Sequence, residues 1–461
     1  MNPSRPTMQQ QASITDLPSE LLLMIFKLVH SLVPPAGKHA YFDGWLAKED
    51  FPNLTFPYNL SSVCRTWQDV MSLVPEFWTR LVVYVDVPWQ PASLQEQLKW
   101  SKNLPFELIL TKKNPDDNLK HPLEQRRTQS SVTTLMSQIN RCTSFSILHL
   151  QSSSSLPSIA TDFTHPANNL QTLRLDCQRD DGNKSFARSI TDAPDVLSCS
   201  KLSQLFVDGE NFLSLCLHTP TWFDAVTHLS VAHYDRASRG AGFSMTRFLA
   251  TLSEMKQLSH LAIEDVDFGH FGRAVKTELP NLKVLELVSQ NDIDKLFDRM
   301  NIDYEEAESL EELNIRFCEL KCPSNSLLPN SDILCLEHVY CPDASKQAIV
   351  RYLYDWGGGV AEIDDCPFVN DIIWMIGLRG FGYLGWSNLF ELSILNCRNL
   401  SISTLRETIA IRNSGYVQSG DTSFAITQLY LSGDVPGLSA EDVDFFTKHV
   451  ECFEWEGSET D

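Results

Sequence analysis

Between Leu21 and Val33 only Lys27, His30 and Ser31 are polar, and the apolar positions fall into two stripes of helical spacing. Leu21, Ile25, Leu28 and Leu32 form one stripe. Leu22, Phe26, Val29 and Val33 form a second beside it. Thr15 and Asp16 are capping types, Pro18 suits a first helical turn, and Glu20 favours the positive end of the helix dipole. These signals predict a helix from Leu17 or Pro18 to about Val33, stopped by Pro34-Pro35. One apolar stripe is enough to seat a helix on a small core. Two imply burial on two sides, either because the helix is central to its domain or because one face meets a partner protein.

A second helical segment follows from Leu60 to Pro75, with Val63, Trp67, Val70 and Val74 at helical spacing. Glu76-Phe77-Trp78 then leads into a strand, Leu81 to Val85. Beyond it one pattern recurs: apolar-x-x-Leu-x-apolar. Its central positions fall at 148, 173, 205, 229, 261, 285, 313, 339, 363, 392, 429 and 453. The pattern alone arises easily by chance, so the period carries the argument. Successive centres lie 24 to 37 residues apart, against the ~20–29 residues of a leucine-rich repeat. The array is therefore irregular. Each Leu-x-x-Leu-x-Leu makes a short strand with alternate side chains turned inward, and the chain returns through a helix or loop. Phe243–Leu252 and Ser403–Ile409 fit such return helices. A set of unrelated βα units is the alternative.

Composition narrows the function. The 461 residues are too many for one ordinary core, and the 43% hydrophobic content is that of a folded protein. A net charge of −22 disfavours phosphate backbones and suits a basic protein partner. The twelve cysteines are scattered through apolar runs, as reduced thiols of a cytoplasmic or nuclear protein would be. The run Leu21 to Val33 is shorter than the ~20 residues that span a bilayer. Asp16 and Glu20 stand where a signal peptide carries positive charge, so no membrane role is expected.

Three segments in order carry a family resemblance: Leu-Pro-x-Glu-Leu-Leu-x-x-Ile-Phe (Leu17 to Phe26), Val-Cys-Arg-x-Trp (Val63 to Trp67) and Pro-x-x-Trp (Pro75 to Trp78). Together they resemble an F-box, and the chain as a whole resembles a fungal F-box-like protein. In that family the helices bind a Skp-family linker protein, which docks on a cullin–RING ubiquitin ligase. The resemblance implies linker contacts at Leu17, Pro18, Leu21, Leu22, Ile25, Val63, Cys64 and Trp67, with Trp78 locking the module onto the repeat array. Asn-Cys-x-x-Leu (Asn396 to Leu400) resembles the cysteine-containing repeats often fused to F-boxes. The departure from the pattern is residues 34–59, a longer connection than usual and rich in aromatics.

The expected architecture is α/β: a disordered tail at 1–13, an F-box-like helical module at 14–80, and an irregular leucine-rich-repeat solenoid at 81–461. Strand side chains turned away from the core would line its concave face: Arg174, Phe206, Ser230, Ala262, Glu286, Asn314, Ser393 and Tyr430. Of these, Arg174, Phe206, Glu286 and Tyr430 are the candidate target contacts, with Phe206 and Tyr430 suited to a partner if exposed.

Catalytic signatures are missing. The chain has no Gly-x-Ser-x-Gly, His-Glu-x-x-His or Gly-x-x-x-x-Gly-Lys-Ser/Thr. Gly357-Gly358-Gly359 reads as a repeat turn. Cys318, Cys322, Cys335 and Cys341 have poor zinc spacing and read as core thiols. The acids Asp265, Asp267, Asp364 and Asp365 read as solvated loop residues. The function expected is that of a substrate receptor in an SCF-type ubiquitin ligase, with no enzyme activity and no cofactor. A repeat scaffold without a ubiquitin role is the alternative.

Overall fold

The computed structural model describes residues 17–32, 56–88, 91–114, 121–182, 197–218, 221–235, 244–268, 277–291, 293–301, 310–321, 328–341, 346–377, 386–419 and 424–457. The N-terminal tail and most of the 34–59 connection lie outside the described residues.

Hydrophobic spacing yields three short helices first. These are α1 (Ser19–Ser31), α2 (Tyr58–Ser61) and α3 (Arg65–Ser72). The single helix expected from Leu60 onward is broken at Cys64, whose extended backbone (φ −161°, ψ 166°) starts α3. Leu22 and Phe26 of α1 meet Trp67, Val70 and Met71 of α3, and Phe77 and Trp78 close this small core. Phe26 stands edge-on to Trp67 with ring centroids 5.0 Å apart.

From Arg80 the chain builds a parallel β-sheet. Its strands are β1 (Arg80–Tyr84), β2 (Phe106–Thr111), β3 (Cys142–Leu150), β4 (Thr172–Cys177), β5 (Gln204–Asp208), β6 (His228–Tyr234) and β7 (His260–Val266). They continue as β8 (Val284–Val288), β9 (Leu310–Arg316), β10 (Ser331–Glu337), β11 (Val360–Asp364), β12 (Glu391–Leu395), β13 (Gln428–Gly433) and β14 (Cys452–Gly457). These fourteen strands lie side by side in chain order, and the sheet is open at both ends. Parallel neighbours need a crossover between them. Helices supply several, among them α4 (Pro91–Trp100), α5 (His121–Met136), Gly209–His218, Met245–Leu252 and Ile402–Ser419. The last two contain or overlap the expected return helices. Ser244 caps Met245–Leu252 by accepting the Arg247 N–H.

Alternation decides which side chains form the core. Leu173 and Leu175, Leu205 and Val207, Leu229 and Val231, and Leu313 and Ile315 all point to one side and are buried. Strand pairing corrects the expected frame at three places. Phe145, not Leu148, pairs with Leu173. Leu334, not Val339, pairs with Leu313. Ala361 pairs with Leu334, which puts Ile363 at the second inward position. Two strands, β1 and β2, precede the first repeat expected from the pattern.

Five consecutive strands, β8 to β12, turn the chain into the core with left-handed backbone. Ser289, Phe317, His338, Asp365 and Asn396 occupy equivalent positions with φ of 44–54°. Each donates its N–H to a carbonyl on the next strand: Arg316, Glu337, Asp364, Leu395 and Ser432 in turn. The next residue is thereby aimed inward, as with the buried Cys318, Cys366 and Cys397. At Gly433 the equivalent turn has φ +70°, and a Cβ there would stand 2.1 Å from the Asn396 side chain. Gly358 is required by close packing, since a Cβ would meet the Ser331 carbonyl oxygen at 2.1 Å.

Trp78 joins the N-terminal helices to the sheet. Its ring lies 4.4 Å from that of Trp100 on α4, and its Nε1–H donates to the Met71 carbonyl at 3.0 Å. Tyr58 adds a polar tie: its hydroxyl accepts the Val82 N–H at 2.8 Å and donates to Gln97 at 3.0 Å.

Candidate functional site

Two surfaces stand out, and the first is α1. The Pro18 carbonyl accepts the N–H groups of Leu21 and Leu22, which fixes the helix start. The turn of the helix then sorts its two apolar stripes. Leu22 and Phe26 are sealed in the small core, with Val29 partly buried against it. Leu21, Ile25, Leu28 and Leu32 lie in solvent, with Leu28 65% and Leu32 74% exposed. Met24 continues this face at 66% exposure. The stripe from Leu21 to Leu32 is about 16 Å long at 1.5 Å per residue. Val63, between α2 and α3, is a further exposed aliphatic residue, and Leu73 is another.

The eight residues expected at a linker interface divide accordingly. Pro18, Leu21, Ile25 and Val63 are exposed. Leu17 and Cys64 are half-buried and pack on the N-terminal core. Leu22 and Trp67 are buried within it, because α1 and α3 need them to close on each other. Their role is to shape the exposed face. Met24 and Leu73 were missed by sequence reasoning. Met24 was detectable, three residues after Leu21 and four before Leu28.

The second surface is the sheet face opposite the large core. Strand register brings all eight expected face residues into one row. Arg174 pairs with Phe206, Phe206 with Ser230, Ser230 with Ala262, and Ala262 with Glu286. Glu286 pairs with Asn314, and the row runs on through Cys335 and Glu362 to Ser393 and Tyr430. Their access to solvent differs from expectation. Arg174, Phe206 and Glu286 are buried, and Tyr430 is half-buried. Adjacent strands lie only ~4.8 Å apart, so neighbouring long side chains cover one another. The Arg174 guanidinium lies over the Phe206 ring, 5.3 Å from its centre.

Charge on this face is unevenly held. Arg316 reaches both Glu286 and Glu337, each at 3.3 Å. Burial pushes the Asp176 carboxyl up to about 7 although Arg174 and His233 oppose it. Burial pushes Glu264 up to about 8, with Asp176, Glu286 and Asp265 adding to it and His233 opposing. Burial works against charge on His233, but Asp265 and Glu264 outweigh it and hold the imidazole above its ordinary value. The acids expected to be solvated loop residues are more engaged than that. Asp265 lies within β7 and pairs with His233 at 3.3 Å. Asp364 ends β11 and accepts from Asn396, and Asp365 pairs with His338 at 2.9 Å. Asp267, just past β7, is exposed.

Cys318 donates to the Leu287 and Arg316 carbonyls from within the core, and burial raises its thiol to about 11. Cys335 and Cys341 are half-buried, and Cys322 lies outside the described residues. Among the described residues, no three His, Cys, Asp or Glu side chains are grouped to hold a metal ion. None of the helices there is long and apolar enough to cross a membrane. Compared with protein-family models and with curated proteins, the sequence matches none.

Proposed function

We propose that this chain is a non-catalytic adaptor, the substrate receptor of an SCF-type cullin–RING ubiquitin ligase. Its N-terminal helices, read as an F-box, bind a Skp-family linker. Its strand array, read as an irregular leucine-rich-repeat solenoid, holds a target protein. Proximity of target to a ubiquitin-loaded enzyme then supplies the rate. Such a protein works in the cytoplasm or nucleus and needs no cofactor.

One observation carries this reading: Leu21, Met24, Ile25 and Leu28 of α1, and Leu32 at its end, stay in solvent while Leu22 and Phe26 of the neighbouring stripe are buried in a core. Aliphatic side chains in a continuous exposed row mark an interaction site. They are 41–74% exposed, so covering what remains would contribute about 0.6–2 kcal/mol each. The order of Leu-Pro-x-Glu-Leu-Leu, Val-Cys-Arg-x-Trp and Pro-x-x-Trp supports the linker as that partner.

The test is calorimetric titration of the purified chain with a purified Skp-family linker, followed by addition of a cullin fragment. The wild type is expected to bind both in sequence. An Ile25→Asp, Leu28→Asp variant is expected to keep its fold and lose the linker. A well-folded wild type that leaves the linker unbound would refute the ubiquitin-ligase reading.

A further inference from the structure

On one side β14 pairs with β13, and on its other side it pairs with no strand among the described residues. The Cys452 N–H is spent on the Thr427 carbonyl. Because N–H groups alternate sides along a parallel strand, those of Phe453 and Trp455 point away from the sheet. An outward row of backbone donors and acceptors is a template for one more strand.

The side chains specify what that strand would carry. Phe453 and Trp455 register with Leu429 and Leu431, on the core side of the sheet. Phe453 packs on the core beside Phe446, while Trp455 remains 37% exposed. Glu454 and Glu456 register with Tyr430 and Ser432, on the opposite face, and both are exposed. Strands β11 to β14 contain Glu362, Asp364, Glu391, Glu454 and Glu456 and no lysine or arginine.

We infer that the outer edge of β14 takes up an extended segment of a partner protein in which Lys or Arg alternates with apolar residues. The basic residues meet Glu454 and Glu456, the apolar ones extend the Phe453–Trp455 side, and the backbone adds a strand to the sheet. A second copy of this chain is the poorer occupant. Two β14 strands would bring Glu454 and Glu456 against their own counterparts. This inference rests on the reading of the strand array as the target-binding part, and it defines the chemistry of the target.

The test uses the full chain and a labelled ten-residue peptide alternating valine and lysine, followed by fluorescence anisotropy in 50 mM salt. An alternating valine–glutamate peptide is expected to bind at least about ten-fold more weakly. So is the valine–lysine peptide N-methylated at every second amide, which keeps its charge but loses the donors on one edge. E454K/E456K is expected to lose the same factor against the unmethylated peptide while retaining the linker. Hydrogen exchange should slow at the Phe453 and Trp455 amides on binding. Equal binding of the N-methylated peptide, or unchanged exchange at both amides, would overturn the inference. Sedimentation showing a dimer that excludes the peptide would also overturn it. Linker binding is read separately in the same samples, so failure at β14 is distinguishable from failure of the adaptor reading.

Discussion

The two faces of α1 should respond in opposite ways to truncation. Phe26 is fully buried against Trp67 at 5.0 Å, in a core that holds nine buried residues among those described. Phe26→Ala removes a ring from that core and leaves a cavity, which costs about 3–5 kcal/mol. Leu28, only two residues on, is 65% exposed. Leu28→Ala should therefore change stability by no more than about 0.5 kcal/mol, as surface substitutions do. Urea unfolding followed by tryptophan fluorescence reads both, because Trp67 and Trp78 sit in the affected core. The linker titration gives the complementary pattern, since Leu28→Ala should weaken binding in a chain of normal stability. If Leu28→Ala costs as much as Phe26→Ala, the exposed stripe is part of a core. The argument for a partner on that face then fails.

Other parts of the molecule allow equally direct checks. Lys112 and Glu124 form an enclosed ion pair at 2.8 Å, with side-chain exposures of 1% and 0%. Lys112→Met should cost about 3–5 kcal/mol in chemical denaturation by stranding the carboxylate. Adding Glu124→Gln should recover much of that loss, and a double variant no more stable than the single one would show that the pair's charge is not the cause. Glu264 offers a pH test. Its folded-state pKa is raised by burial from 4.5 to about 8, so it contributes stability below pH 4.5 that is lost as pH climbs through about 8. Thermal unfolding at pH 5 and pH 9 should show a smaller alkaline loss in Glu264→Gln than in the wild type, and equal losses would refute the assignment. Ser439 accepts the Asp442 N–H, and the Asp442 side chain answers at the Ser439 N–H, capping the helix Ala440–His449. Ser439→Ala should cost about 1 kcal/mol by the same denaturation, and a negligible change would mean that this helix end contributes little to stability.

Much of the architecture could be read from spacing alone, because both helices and strands write their period into side-chain polarity. The two stripes of α1, its start beside Pro18, and the helix ending at Leu252 follow from local rules. So do the inward pairs such as Leu173 and Leu175. A strand's inner face is set by alternation of two, and no distant residue is needed to define it. Eight members of the row from Arg174 to Tyr430 were legible for the same reason, since each sits between two inward residues. Cys335 and Glu362 were not, because the frame of their strands differs from the one expected.

Frame, exposure and sides were decided elsewhere. At Phe145, Leu334 and Ala361 the apolar residues are so dense that the same pattern fits in several frames. Only hydrogen-bonded register with the neighbouring strand selects one. Phe206 looked available to a partner by its position in the repeat, yet packing at strand spacing encloses it under Arg174. Both stripes of α1 are equally apolar in sequence. Trp67 on α3 chose Leu22 and Phe26 as the inner face and so left Leu21, Ile25 and Leu28 outside. Local periodicity determined what each element could bury. Which of those surfaces stayed free for a partner depended on contacts between residues far apart in the chain, which periodicity does not encode.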